Sequence, residues 1–129
     1  MNPLSGSLTQ DDKSGLRILV VEDNRDTRYM VGELLSLLGH QPLGVGNAEQ
    51  ALAAAGANAF DILFTDINLP GMSGIRLAQQ IAIDHPGLRI ILASGYHVEK
   101  KDLQGFSCEI LLKPYDLEQL QAALHNLPR

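Results

Sequence analysis

Five side chains define the chemistry open to this chain. Glu22 and Asp23 follow the apolar run RILVV (17–21), Asp66 closes DILFTD, Ser94 closes RIILAS, and Lys113 closes EILLK just ahead of Pro114. Three carboxylates brought together repel one another and raise their own pKa values. A hard divalent cation removes that conflict, and Mg²⁺ binds through one or two carboxylates plus waters and phosphoryl oxygens. Lys113 supplies a compact positive charge for an anion. Ser94 supplies a hydroxyl donor to the same anion. The set suits a phosphoryl group carried on a carboxylate, and aspartate nucleophiles that form acyl phosphates are known chemistry. Catalysis at such a site is mainly positioning and charge stabilisation.

These residues meet only if the chain folds in one way. Arg17–Val21 is β-branched and apolar without alternation, as a strand buried on both faces is. Asn24 can cap the helix that follows, where Val31, Leu34, Leu35 and Leu38 recur at helical spacing until Gly39. Residues 41–46 predict a weak strand, and Asn47 with Gln50 resembles a capping box opening an Ala-rich helix to about Ala55. DILFTD is a second buried-type strand, broken at Leu69-Pro70-Gly71. Ser73 precedes a third helix carrying Ile75, Leu77, Ala78, Ile81 and Ala82. RIILAS and EILLK are further strands. Between them, residues 95–108 are irregular, with one short helix expected from Val98, Leu103 and Phe106. Asp116 with Gln119 caps a final helix striped by Leu117, Leu120, Leu124 and Leu127.

Alternating strands and helices imply an α/β fold with a parallel sheet and helices on both faces. Right-handed crossovers leave few topologies, of which the flavodoxin-like, doubly wound five-stranded order 2-1-3-4-5 is the economical one. Ligands bind such sheets beyond the carboxyl ends of the strands, where the strand order reverses. Here that point lies between strands 1 and 3, where Glu22, Asp23 and Asp66 emerge.

Composition narrows the function. The chain has 129 residues, which is one domain's length, and 45% hydrophobic residues, which excludes wholesale disorder. Ten basic against fifteen acidic residues leave a net charge of −5, which argues against a nucleic-acid or anionic-membrane partner. No apolar run approaches a membrane span, and the first residues lack the pattern of a signal peptide. A cytoplasmic protein is the expectation. Residues 1–15 are polar and read as a flexible tail or linker, leaving 16–129 as the folded domain. Cys108, the single cysteine, excludes an internal disulfide and reads as a small core or edge residue. The four histidines lack metal-ligand spacing. Arg25 and Arg28 read as surface charges.

The ordered segments ILVVEDN, DILFTDINLPGMSG, ILASGY and LLKPYDLEQL resemble the receiver domains of two-component response regulators across about residues 16–127. The SGY and KPYDL segments are most similar to receivers of hybrid sensor kinases, and a single-domain response regulator fits as well. The resemblance implies that Asp66 is the phosphoacceptor. It implies that Glu22, Asp23, Asp66 and the main-chain carbonyl of Asn68 hold Mg²⁺, with Mn²⁺ as an alternative. It makes Ser94 the switch hydroxyl, Lys113 the lysine that contacts the phosphoryl group, and the Lys113–Pro114 peptide cis. The donor would be a phosphohistidine on a histidine kinase or histidine phosphotransfer protein, docking near the first helix. The output would be an unidentified downstream protein, with the chain a monomer or weak dimer that catalyses only its own phosphorylation and dephosphorylation. Two positions depart from the pattern. Ile110 stands where many receivers carry Tyr or Phe, and the 94–113 spacing is short, which implies a short or distorted fourth helix. Tyr96, two residues past Ser94, is then the candidate aromatic for the switch. No output domain is expected in this chain.

Three other functions share the fold or the chemistry. A flavin-nucleotide carrier needs a hydroxyl- and glycine-rich loop where Glu22-Asp23-Asn24 stands. An aspartyl-phosphate hydrolase uses a second aspartate where Asn68 stands. A degenerate receiver that only docks partners would not need the intact acidic set, Ser94 and Lys113.

Overall fold

A computed structural model of the chain describes residues 15–127. The expected tail therefore lies outside the described residues, except for Gly15. The elements are β1 (Arg17–Val21), α1 (Arg25–Leu37), β2 (Gln41–Val45), α2 (Ala48–Ala57), β3 (Ile62–Asp66), α3 (Gly74–Asp84), β4 (Arg89–Ser94), a 3₁₀ turn (Lys100–Leu103), β5 (Glu109–Leu112) and α4 (Leu117–His125). All five strands are parallel, in the order β2-β1-β3-β4-β5. The doubly wound order expected from the sequence is the observed one.

The apolar runs of β1, β3 and β4 are long without alternation because both faces of those strands are covered. Residues at even positions of β1 and β3 (Ile18, Val20, Ile62, Phe64) pack with Val31 and Leu35 of α1 and Leu120 and Ala123 of α4. The alternate residues, Leu19, Val21 and Leu63, pack with Ala48, Ala51 and Ala55 of α2 and Leu77, Ala78 and Ile81 of α3. Two cores thus sandwich one sheet. β2 is an edge strand, and its burial is accordingly partial.

The caps follow the sequence closely. Asn24 accepts from the Thr27 N–H, Asn47 from Gln50, and Ser73 from Arg76. The Asp116–Gln119 capping box is complete in both directions. At α2 the reciprocal half differs: Gln50 Oε1 accepts from the Gly46 N–H, one residue before the cap. α2 also runs on to Ala57, beyond the expected end at Ala55.

Crossover β4–β5 contains only the 3₁₀ turn in place of a short α-helix. Val98, Leu103 and Phe106 still pack partly against the second core, as do Cys108 and Ile110. The connection is too short for a helix that would cover them, so these five residues line an open groove. Burial, reinforced by the Glu109 carboxylate, pushes the Cys108 thiol up to about 11. The fold thus favours the neutral thiol, and this contribution to stability is complete below the ordinary thiol pKa and is lost as pH rises toward 11. Alkylation of Cys108 at pH 8 is expected to be about a hundredfold slower in the native protein than in urea, since the native thiolate is that much rarer.

One helical glycine offers a contrast to the site described below. Gly56 lies within α2 and is exposed, with nothing within 4 Å of the position a Cβ would take. Gly56→Ala is expected to stabilise the protein by about 0.5–1 kcal/mol in urea unfolding, through lost chain entropy and gained helix propensity.

Candidate functional site

The register of the sheet brings the chemistry to one edge. Val21 pairs with Thr65, so Glu22 comes level with Asp66 one residue further on. Asp66 pairs with Ala93, and Ser94 with Leu112. The ladder continues past the strands: Ile67 N–H donates to Ala93 O, and Lys113 N–H donates to Ser94 O at 2.7 Å. Four strand ends, far apart in sequence, are thereby locked side by side.

Carboxylate oxygens of Glu22, Asp23 and Asp66 all lie within 4.8 Å of one another. Glu22 and Asp66 are buried and Asp23 is exposed, so the cluster opens to solvent on the Asp23 side. Lys113 reaches in from β5, with Nζ 3.0 Å from Asp66 Oδ2 and 3.6 Å from Glu22 Oε1. Burial pushes the Glu22 carboxyl above its ordinary range. The Asp66 charge adds to that, while the Asn24 N–H, which donates to Glu22 Oε2 at 2.9 Å, and Lys113 oppose it. One lysine faces three carboxylates. That residual negative charge, held on hard oxygen donors, fits a small divalent cation.

The backbone beneath Asp66 is tightly held. Thr65 is fully buried, and its hydroxyl donates to Asp66 O at 3.0 Å. The Asn68 N–H points at Asp66 Oδ1 from 3.4 Å. Gly74, the first residue of α3, is buried against the same peptide. A Cβ there would collide with Asp66 O and lie 2.9 Å from Asp66 C and Ile67 Cα. The Lys113–Pro114 peptide is cis. Next to it, the Tyr115 ring meets Phe64 edge-on at 6.2 Å. Burial, then the Glu22 and Asp66 charges, pushes the Tyr115 hydroxyl up to about 12.

Ser94 is at the site but turned away from the acids. It is fully buried, its hydroxyl donates to Tyr96 O at 2.6 Å, and it accepts from the Tyr96 N–H at 3.1 Å. The Tyr96 side chain is exposed, and Ile110 is half-buried beside the open groove. The structure thus gathers Glu22, Asp23, Asp66 and Lys113, keeps Asn68 and Ser94 adjacent, and leaves Tyr96 and Ile110 outside the cluster.

Comparison with known proteins agrees with this geometry. The family model for the response regulator receiver domain matches residues 18–125. The chain belongs to the response regulator receiver domain family. A solved receiver domain from Methylobacillus flagellatus superposes with a TM-score of 0.79 at 30% identity, covering 86% of this chain and 97% of that one. The response regulator TrrA of Thermotoga maritima, solved in complex with Mg²⁺-BeF, superposes with a TM-score of 0.74 at 26% identity, covering 85% of this chain and 96% of that one. Among curated relatives, FleR of Pseudomonas aeruginosa is 31% identical over 120 residues, which is 87% of this chain and 25% of FleR. The sensor protein TorS of Escherichia coli is 38% identical over 87 residues, 67% of this chain and 10% of TorS. This receiver domain therefore spans about a quarter or less of those relatives. No helix among its described residues is long and apolar enough to cross a membrane.

Three contributors escape a reading of the receiver sequence alone. Gly74 and Tyr115 lie at the acid cluster only once the fold is closed. Thr65 leaves a trace, as the one hydroxyl residue inside an otherwise apolar strand.

Proposed function

We propose that this receiver domain accepts a phosphoryl group on Asp66 from a phosphohistidine, in a Mg²⁺-dependent relay. The observation that carries the reading is Asp66 itself: a buried carboxylate 3.0 Å from Lys113 Nζ, with Glu22 and Asp23 oxygens within 4.8 Å. Glu22, Asp23 and Asp66 would hold Mg²⁺ or Mn²⁺, with the Asn68 main-chain carbonyl added to them. Once bound, the ion supplies charge neutralisation for the phosphoryl oxygens. TrrA, a relative of the same fold, is known with Mg²⁺-BeF.

The rest falls to the chain's own residues. An Asp66 carboxylate oxygen attacks phosphorus in line with the donor imidazole. The O–P bond forms, the N–P bond breaks, and the imidazole nitrogen keeps the electron pair. Lys113 pairs with the added negative charge. Ser94 then exchanges its bond to Tyr96 O for one to a phosphoryl oxygen, which releases residues 95–108. That shift of a pre-existing equilibrium is the signal to a downstream protein. Residues 16–129 form the switching unit and 1–15 its tail or linker. The unit works in the cytoplasm as a monomer or weak dimer, with a histidine kinase or phosphotransfer protein as donor and no nucleic acid contacted directly. It turns over nothing but its own acyl phosphate.

Incubation with acetyl phosphate tests the reading. One phosphoryl group should be gained in intact mass with Mg²⁺ present and none with excess chelator. An equal gain without the metal overturns the ion's role, and no gain from acetyl phosphate or from a phosphohistidine protein overturns the acceptor role.

A further inference from the structure

Arg28 bonds to the carbonyls of the two residues on either side of Asp23, Glu22 and Asn24. From the first turn of α1, its backbone N–H donates to Asn24 O at 2.9 Å. Its guanidinium Nη1 reaches back to donate to Glu22 O at 2.8 Å. Glu22 N–H is already held by Val45 O at 3.1 Å, so the Glu22 residue is fixed through both its N–H and its C=O. The ion pairs among the described residues involve Lys101 and Lys113, not Arg28. Its charge serves a backbone carbonyl instead of a carboxylate, and such charge-assisted bonds are among the stronger ones.

The neighbouring strand makes room for this reach. A Cβ at Gly44 would lie 2.9 Å from Arg28 Cγ and 3.1 Å from Cδ, and one at Gly46 would lie 3.1 Å from Nη1. Two glycines, one in β2 and one just after it, therefore leave a channel for the arginine stem. A surface charge in bulk solvent would need no such channel.

We propose that Arg28 is a positioning residue for the ion-binding carboxylates, holding the Glu22–Asn24 segment so that Asp23 faces Asp66. The proposal rests on the reading of the acid cluster as a Mg²⁺ site. The test is a calorimetric Mg²⁺ titration of wild type, Arg28→Met, Arg28→Lys and Gly44→Ala, together with amide exchange at Asp23 and Asn24. Arg28→Met keeps the stem and removes the donor. It should raise the Mg²⁺ Kd about tenfold, the size typical for loss of a group that orients a metal ligand, and speed exchange at both amides. Arg28→Lys should reverse most of that rise, and Gly44→Ala, which displaces the stem, should raise Kd in the same direction. A wild-type Kd in Arg28→Met, or a rise that Arg28→Lys leaves unreversed, overturns the proposal. Absence of Mg²⁺ binding in wild type would instead overturn the metal-site reading, and this proposal with it.

Discussion

Asp66→Asn should abolish phosphoryl acceptance while leaving the fold intact. An amide oxygen carries no full charge and is a poor nucleophile, so the yield of adduct should fall by more than about a hundredfold. The substitution is nearly isosteric in a position whose backbone is held by Thr65 and by the ladder bond from Ile67 to Ala93. Lys113 keeps Glu22 as a neighbour at 3.6 Å, so it is not left as an uncompensated charge. Intact mass after acetyl phosphate and Mg²⁺ reads the acceptor, and circular dichroism confirms folding. The same pair of proteins tests the switch. Beryllofluoride should shift the amide resonances of residues 95–108 in wild type and leave them in place in Asp66→Asn. Adduct at wild-type level in the variant would move the acceptor elsewhere, and unmoved resonances in wild type would remove Ser94 as the trigger.

Gly74→Ala should cost about 3 kcal/mol or more in urea unfolding, the upper range for overpacking a rigid site. The new methyl group would meet backbone, not the far end of a flexible chain: Asp66 O, with Asp66 C and Ile67 Cα at 2.9 Å. Relief requires α3 to move off β3, and the Gly74 N–H bond to Ile67 O at 2.8 Å resists that. Whatever yields, the peptide that carries Asp66 moves. The surviving folded fraction should therefore also lose Mg²⁺ affinity. A urea midpoint within error of wild type would show that α3 docks more loosely than this packing implies. Gly56→Ala, expected to change stability in the opposite direction, is the internal control for glycine substitution as such.

Much of this was legible in the sequence, for a reason visible in particular residues. Ile18 to Val21 and Ile62 to Phe64 are apolar at every position because both faces of the sheet are covered, so the pattern alone implied a buried parallel strand. Crossover handedness then leaves few strand orders, and in the doubly wound one the strand ends place Glu22, Asp66 and Lys113 together. Less legible was anything that depends on close approach between elements. Nothing local marks Gly74 as lying on the Asp66 peptide, and Arg28 reads as a surface charge until Gly44 and Gly46 are seen beneath it. The 95–108 segment was uncertain for a different reason. Its apolar residues are too few and too irregularly spaced to choose between a helix and a turn, and Gly105, at φ 95°, stands where a regular helix would have to continue.

The interleaved strand order has a consequence for biogenesis. Among the site residues Glu22 is made first and Lys113 last, yet the two end 3.6 Å apart across a sheet whose middle strand, β3, lies between their own in sequence. Such non-local pairing forms late and slowly. A partly synthesised or partly folded chain holds the acids without the lysine or the ladder that aligns them. If Asp66 is the phosphoacceptor proposed above, competence to take a phosphoryl group would report completed folding, and a nascent or damaged copy of this domain would offer a donor no acceptor to charge.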